Sequence, residues 1–121
     1  MTSNQKGYNA QVRTAKYLEN LGFQVHTVSR PTYRNAHDIF GLWDHIAIAD
    51  KPINVGGLTV PAQQTLYVQT KSSKIYGKAM LPYMEFPAPC KIIFVWLKGE
   101  NGRYYLINQL PEGTNNVHVQ T

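Results

Sequence analysis

Gln69 and Lys71 stand two residues apart in Leu-Tyr-Val-Gln-Thr-Lys (66–71), a run that reads as a β-strand, so alternation puts both side chains on one face. Another strand-like run, Asp-His-Ile-Ala-Ile-Ala (44–49), precedes it, with Gly56-Gly57 between them as a hairpin tip. Antiparallel pairing about that tip sets Pro52 opposite Pro61, Ile46 opposite Tyr67 and Asp44 opposite Gln69. Asp44, Gln69 and Lys71 then converge on one face. A carboxylate and an amide oxygen are hard donors suited to magnesium, and a lysine beside them can orient a water or offset charge on a phosphate under attack. The chemistry would be phosphodiester hydrolysis. The same spacing also fits an ordinary cross-strand polar trio on a half-solvated sheet face.

The elements that must position these residues are legible from periodicity. Ser3 or Asn4 can cap a helix over 5–21, in which Tyr8, Val12, Ala15 and Leu18 recur at helical spacing, and Gly22 ends it. Phe23, Val25 and Val28 mark a first strand, closed by Arg30-Pro31 and a polar loop at 32–37. Prolines 52 and 61 cannot donate to a ladder, which loosens the outer half of the hairpin and predicts a protruding tip able to touch a partner. In 72–89, Gly77, Pro82, Pro87 and Pro89 leave room for one short helix, with Ala79, Met80, Leu81 and Met84 seeking burial. Residues 91–98 read as a central strand, 99–102 as a turn and 103–108 as a final strand. The expected class is α/β, in the order α-β-β-β-α-β-β, as one domain over 1–110 with a mobile tail at 111–121. Trp43 and Trp96 belong to the core.

Composition narrows the partners. The 121 residues suffice for one domain and one core, and the apolar runs at 46–49 and 92–97 fall far short of the about 20 residues of a membrane span. Nothing at the start resembles a signal peptide, so a cytoplasmic location without membrane contact is expected. A single cysteine, Cys90, permits no internal disulfide or thiolate cluster, and the four histidines lack close metal-ligand spacing. Twelve Lys plus Arg against seven Asp plus Glu gives +5, and neither 26–37 nor 71–84 contains an acid. Two acid-free basic stretches could border one groove for a polyanion, although a merely basic surface has the same composition.

The order and spacing of these motifs resemble the PD-(D/E)xK nuclease superfamily, and within it the archaeal and phage-type Holliday junction resolvases. Lys6-Gly7-Tyr-Asn-Ala-Gln11, followed by Tyr17-Leu-Glu-Asn-Leu-Gly22-Phe-Gln-Val25, is similar to the resolvase N-terminal helix and first strand. Asp44-His-Ile-Ala-Ile is similar to the strand bearing the metal aspartate, and Val68-Gln69-Thr70-Lys71 to the (Asp/Glu)-x-Lys strand. The likeness covers about residues 6–75. It implies a restriction-endonuclease-like fold, a mixed central sheet flanked by helices, and a homodimer, since a four-way junction takes two symmetric cuts. Two positions depart from the pattern: Gln69 stands where an acid is usual, and Gln11 where resolvases have a helix glutamate. Each lost carboxylate weakens attraction for a hard dication.

The resemblance implies a magnesium-dependent DNA endonuclease, with manganese as a possible substitute, selective for branched DNA of the kind found in DNA recombination. Asp44 and Gln69 would hold the metal with Asp38 as a further ligand, and Lys71 would position the attacking water or stabilise the transition state. Asp38, ahead of Gly41, is equally a turn-capping residue. Gln11, on the helix face of Tyr8 and Leu18, could reach the site or satisfy backbone, and Glu19 is a reserve acid that also reads as a solvated glutamate. Lys6, Arg30, Arg34, Lys74 and Lys78 are the candidate DNA contacts, and Tyr33 and Tyr76 could stack on bases or pack. His45 alternates away from Asp44 and reads as a satisfied histidine. The alternative function is a catalytically decayed DNA-binding protein on the same fold, marked by its two glutamines.

Overall fold

Ala10, Thr14 and Leu18 recur every four residues and form the fully buried stripe of the first helix, α1 (Ser3–Leu21), in a computed structural model that describes residues 3–28, 39–109 and 118–120, with side chains described over 9–28 and 39–108. The stripe is rotated from the one that hydrophobicity predicts: Val12 and Ala15 are only half-buried. Thr14 takes the central place because its hydroxyl finds partners inside. The helix stops where expected. Gly22, at φ +115°, lets its own N–H reach the carbonyl of Glu19 and that of Phe23 reach Leu18, which satisfies the last turn and turns Phe23 into the core.

Six strands form one mixed sheet in the order β1-β2-β5-β6-β7-β8. They are β1 (Gln24–Thr27), β2 (His45–Ile48), β5 (Leu66–Lys71), β6 (Lys91–Lys98), β7 (Tyr104–Gln109) and β8 (His118–Gln120), while β3 (Ile53–Val55) and β4 (Leu58–Val60) form a separate hairpin. The hairpin register is the expected one: Ile46 faces Tyr67 and Ile53 faces Val60. Among the described strands only β5 and β6 pair in parallel, so the chain must cross over between them, through a 3-10 turn at Gly77–Met80 and the short helix α2 (Leu81–Glu85). Lys91, almost fully buried, donates its ammonium to the carbonyls of Met84 and Phe86, tying the end of α2 to the start of β6; burial lowers its pKa.

The two faces of the sheet are covered differently. Val68, Ile92, Phe94, Trp96 and Leu106 meet α1 in the larger core, each such burial contributing about 1.5–3 kcal/mol, and Ile93, Val95 and Ile107 meet Ile75, Met80 and Tyr83 of the crossover in a smaller one.

Four expectations change. The hairpin tip does not protrude: Val55 and Val60 are buried in the larger core, and Gly56 (φ +58°) sits so close to Asn108 that a Cβ there would lie 1.5 Å from its side-chain nitrogen. Loss of ladder bonds at the prolines loosens pairing but not burial, and β3 and β4 make the element order longer than α-β-β-β-α-β-β. Residues 118–120, expected in a mobile tail, pair with β7 as β8 because the free edge of β7 offers unpaired backbone groups. In the crossover, Met80 is half-buried, but Ala79, Leu81 and Met84 face outward because the 3-10 turn and α2 are too short to bury a full stripe.

Candidate functional site

β5 carries the candidate site, and its alternation separates two chemistries. Thr70 points toward α1, whereas Tyr67, Gln69 and Lys71 point to the crossover face, level with Ile93 and Val95 of β6. Asp44 reaches this strand from β2 differently from the expected cross-strand pair. The regular β2–β5 pairing ends at His45 and Val68; beyond it the Asp44 N–H donates to the Val68 carbonyl at 3.0 Å, and its carboxylate Oδ2 accepts the Thr70 N–H at 3.3 Å. The carboxylate thus replaces a ladder bond and lies against the residue between Gln69 and Lys71. Asp44 is buried, 6% exposed.

Gln69 is equally enclosed. Its Nε2 donates to the Tyr83 hydroxyl at 3.4 Å, while its Oε1 is buried with no hydrogen-bond partner among the described residues. A buried carbonyl-type oxygen left unsatisfied costs about 1–3 kcal/mol, so it is a ready acceptor for a proton donor or a cation. Lys71 is half-buried and reaches over the ring of Tyr83, its Nζ 5.9 Å from the centroid. Magnesium fits this donor set in kind: two hard oxygens, one anionic and one neutral and unpaired, stand on adjacent strands beside a lysine. Among the described residues no three His, Cys, Asp or Glu side chains form a metal-binding group.

The other expected residues divide. Asp38, Arg30 and Arg34 lie outside the described residues, as does the side chain of Lys6. Gln11 is half-buried on α1, on the Thr70 side of β5, so its helix does not bring it to the face of Gln69 and Lys71. Glu19 is exposed near the C-terminal end of α1, away from the site, because the inward positions there belong to Leu18 and Leu21. Lys74 and Lys78 are exposed on the segment leaving β5, with Tyr76 exposed between them.

His45 is the satisfied histidine that alternation implied, and the structure shows how. Thr14 Oγ1 donates to the Ala10 carbonyl and accepts from Trp96 Nε1 at 2.8 Å and from Thr70 Oγ1 at 2.8 Å. With its proton spent on Thr14, the Thr70 hydroxyl can only accept from His45 Nε2, 2.9 Å away, so Nδ1 accepts from Thr27 Oγ1 at 2.8 Å. One neutral tautomer satisfies every member. Burial pushes the His45 pKa down to about 4, in keeping with that neutral form.

Periodicity missed an aromatic cluster beside the site. Trp43, fully buried, packs against Tyr67, Tyr83 and Phe86 at centroid distances of 6.0, 5.2 and 5.3 Å, and its indole N–H has no partner. Phe40 extends the cluster outward, 5.3 Å from Phe86 and 6.3 Å from Tyr67, yet is 72% exposed. It occupies the first corner of a tight turn, with Leu42 N–H bonded to the Ile39 carbonyl, and Phe40 and Gly41 both have positive φ, +55° and +71°. Such a conformation costs a residue with a side chain about 1–2 kcal/mol. The one signal in the sequence was Phe40-Gly41 ahead of Trp43, too short a pattern to read. Comparison with family models, curated proteins and solved structures returns no match for this chain.

Proposed function

We propose that this protein is a metal-dependent DNA endonuclease of the restriction-endonuclease-like type, selective for branched DNA and acting as a homodimer. The observation that carries the reading is the junction of Asp44 with the Gln69-Thr70-Lys71 strand: a buried carboxylate bonded to the middle residue, an unpaired buried amide oxygen on one side of it and a lysine on the other. The arrangement of α1, three antiparallel strands, a crossover and a parallel fourth strand supports the resemblance drawn from the motifs. Asp44 and Gln69 would hold the metal, which when bound supplies Lewis-acid polarisation of a phosphate and of a water. Lys71 would place its ammonium against charge developing on the phosphate, and Tyr83 would fix the Gln69 amide through its hydroxyl.

A cleavage assay on four-way junctions, flaps, linear duplex and single strands, with and without magnesium or manganese, tests this. Metal-dependent cutting by the wild type and none by Asp44→Asn is expected, with the junction cut fastest; cutting by Asp44→Asn at the wild-type rate would sink the assignment. The second reading, a catalytically decayed DNA-binding protein, draws on the absence, among the described residues, of a group of three metal-ligating side chains, and on Gln69 standing where an acid is usual. Tight, salt-sensitive DNA binding with no cutting in either metal would select it.

A further inference from the structure

Phe40 presents an aromatic ring to solvent at a backbone position that suits glycine or asparagine, and it gains little burial there. The ring is nevertheless held in place from behind by Phe86 and Tyr67. A rigid, exposed, supported ring is what a flat π-system needs as a stacking partner, and a strained conformation kept without a packing return points to a use on the surface. Tyr67 stands four residues before Lys71 on β5, about 13 Å at roughly 3.3 Å per residue, close to the span of four base steps. Beyond Lys71 the chain carries Lys74 and Lys78 with no acid over 71–84, and none of the three lysines forms a salt bridge with a described residue. The ledge is therefore aromatic at one end and cationic at the other.

From this juxtaposition we infer that Phe40 stacks an unpaired nucleobase of a DNA strand whose phosphates run toward Lys71, Lys74 and Lys78. The inference deepens the proposed function and rests on its nucleic-acid part, but not on cleavage: the preferred substrate carries an unpaired base, as flaps, bulges and open branch points do. Stacking is indifferent to base identity, so the ledge selects structure and not sequence.

The test is equilibrium binding in metal-free buffer, so that cutting plays no part. The probes are a duplex with one unpaired 2-aminopurine and the matched full duplex. Wild type binds the bulged probe roughly 5- to 100-fold more tightly than the duplex and quenches its fluorescence. Phe40→Asn, which suits the positive φ, loses the preference and the quenching but keeps duplex affinity and melting temperature, and Phe40→Trp restores both signals. Lys74→Ala with Lys78→Ala weakens both probes alike and lowers the salt slope by about two. Quenching retained by Phe40→Asn, or a wild type that does not prefer the bulge, overturns the ledge. Self-association lost in Phe40→Asn with base preference intact overturns it in favour of a second copy of the chain. Base preference without cutting in the metal-supplied assay upholds the ledge and removes the endonuclease reading, whereas no salt-sensitive binding to either probe removes both.

Discussion

The two faces of β5 spend their polar groups in opposite ways. On the α1 face, Thr27, His45, Thr70, Thr14 and Trp96 form one closed chain in which every described donor finds an acceptor. On the crossover face, one residue away in either direction, Gln69 keeps an oxygen unpaired among the described residues and Lys71 reaches over the ring of Tyr83. Gln69 is as buried as Thr70, so at these two neighbours the difference lies not in burial but in satisfaction. A closed network holds α1 to β1, β2, β5 and β6 and has nothing left to bind with; an open one retains capacity for a ligand at a cost in stability. Adjacent residues of one strand can thus be divided between holding the fold and serving the site.

That contrast is open to test, and the largest effect belongs to the open face. Under the proposed endonuclease function, Lys71→Met is expected to lower the cleavage rate about 100- to 1,000-fold while the urea midpoint barely moves, because there the lysine would stabilise charge in the reaction and little in the fold. A comparable loss of stability would make Lys71 a structural residue and erase the difference between the faces.

The reverse outcome is expected across the strand. Thr14→Val strands the Trp96 indole N–H and the Thr70 hydroxyl in the core, which should cost about 3 kcal/mol in urea unfolding and leave cleavage by the folded protein near wild type. The pH dependence probes the same chain. His45 titrates near 4 in the folded state and near 6.5 when unfolded, so between these values the unfolded chain binds more protons and stability rises with pH. Its neighbours in the chain, Thr27 and Thr70, are uncharged hydroxyls. Lowering the pH from 7 to 4 should remove about 3 kcal/mol through this residue, a difference that His45→Gln flattens relative to wild type. Equal pH slopes for the two proteins would show that His45 is not held neutral by the fold.

Gln69→Glu sharpens the open face. A second carboxylate beside Asp44 should lower the metal concentration for half-maximal cleavage about tenfold, and an unchanged metal dependence would take Gln69 out of the ligand set. The smallest effect lies away from both faces: Gly22→Ala, at φ +115° with Ile53 3.3 Å from the new Cβ, should cost about 1–2 kcal/mol in thermal unfolding without touching activity.

Much of this was legible in the chain. Alternation in 66–71 and the Gly56-Gly57 tip determined the register of β2 against β5, because pairing about a two-residue turn leaves little freedom and a one-residue slip would expose the buried side chains, whereas the bond from the Thr70 N–H to the Asp44 carboxylate lies beyond the ladder and was not legible. Gly22 determined the end of α1 for an equally local reason, its access to positive φ. What lay beyond such patterns required distant residues to meet. Thr14 reads as a polar residue in a helix until Thr70 and Trp96 arrive to bond it; Trp43 reads as core until it is seen, with Phe86, to wall the candidate site. The fold also decided that Gln11 and Glu19 stand apart from Lys71, since a helix covers one face of a sheet and alternation had placed the lysine on the other. Local backbone geometry is encoded within a few residues and can be read there, whereas the satisfaction of a buried polar group depends on partners up to 82 positions away and exists only once the chain has packed.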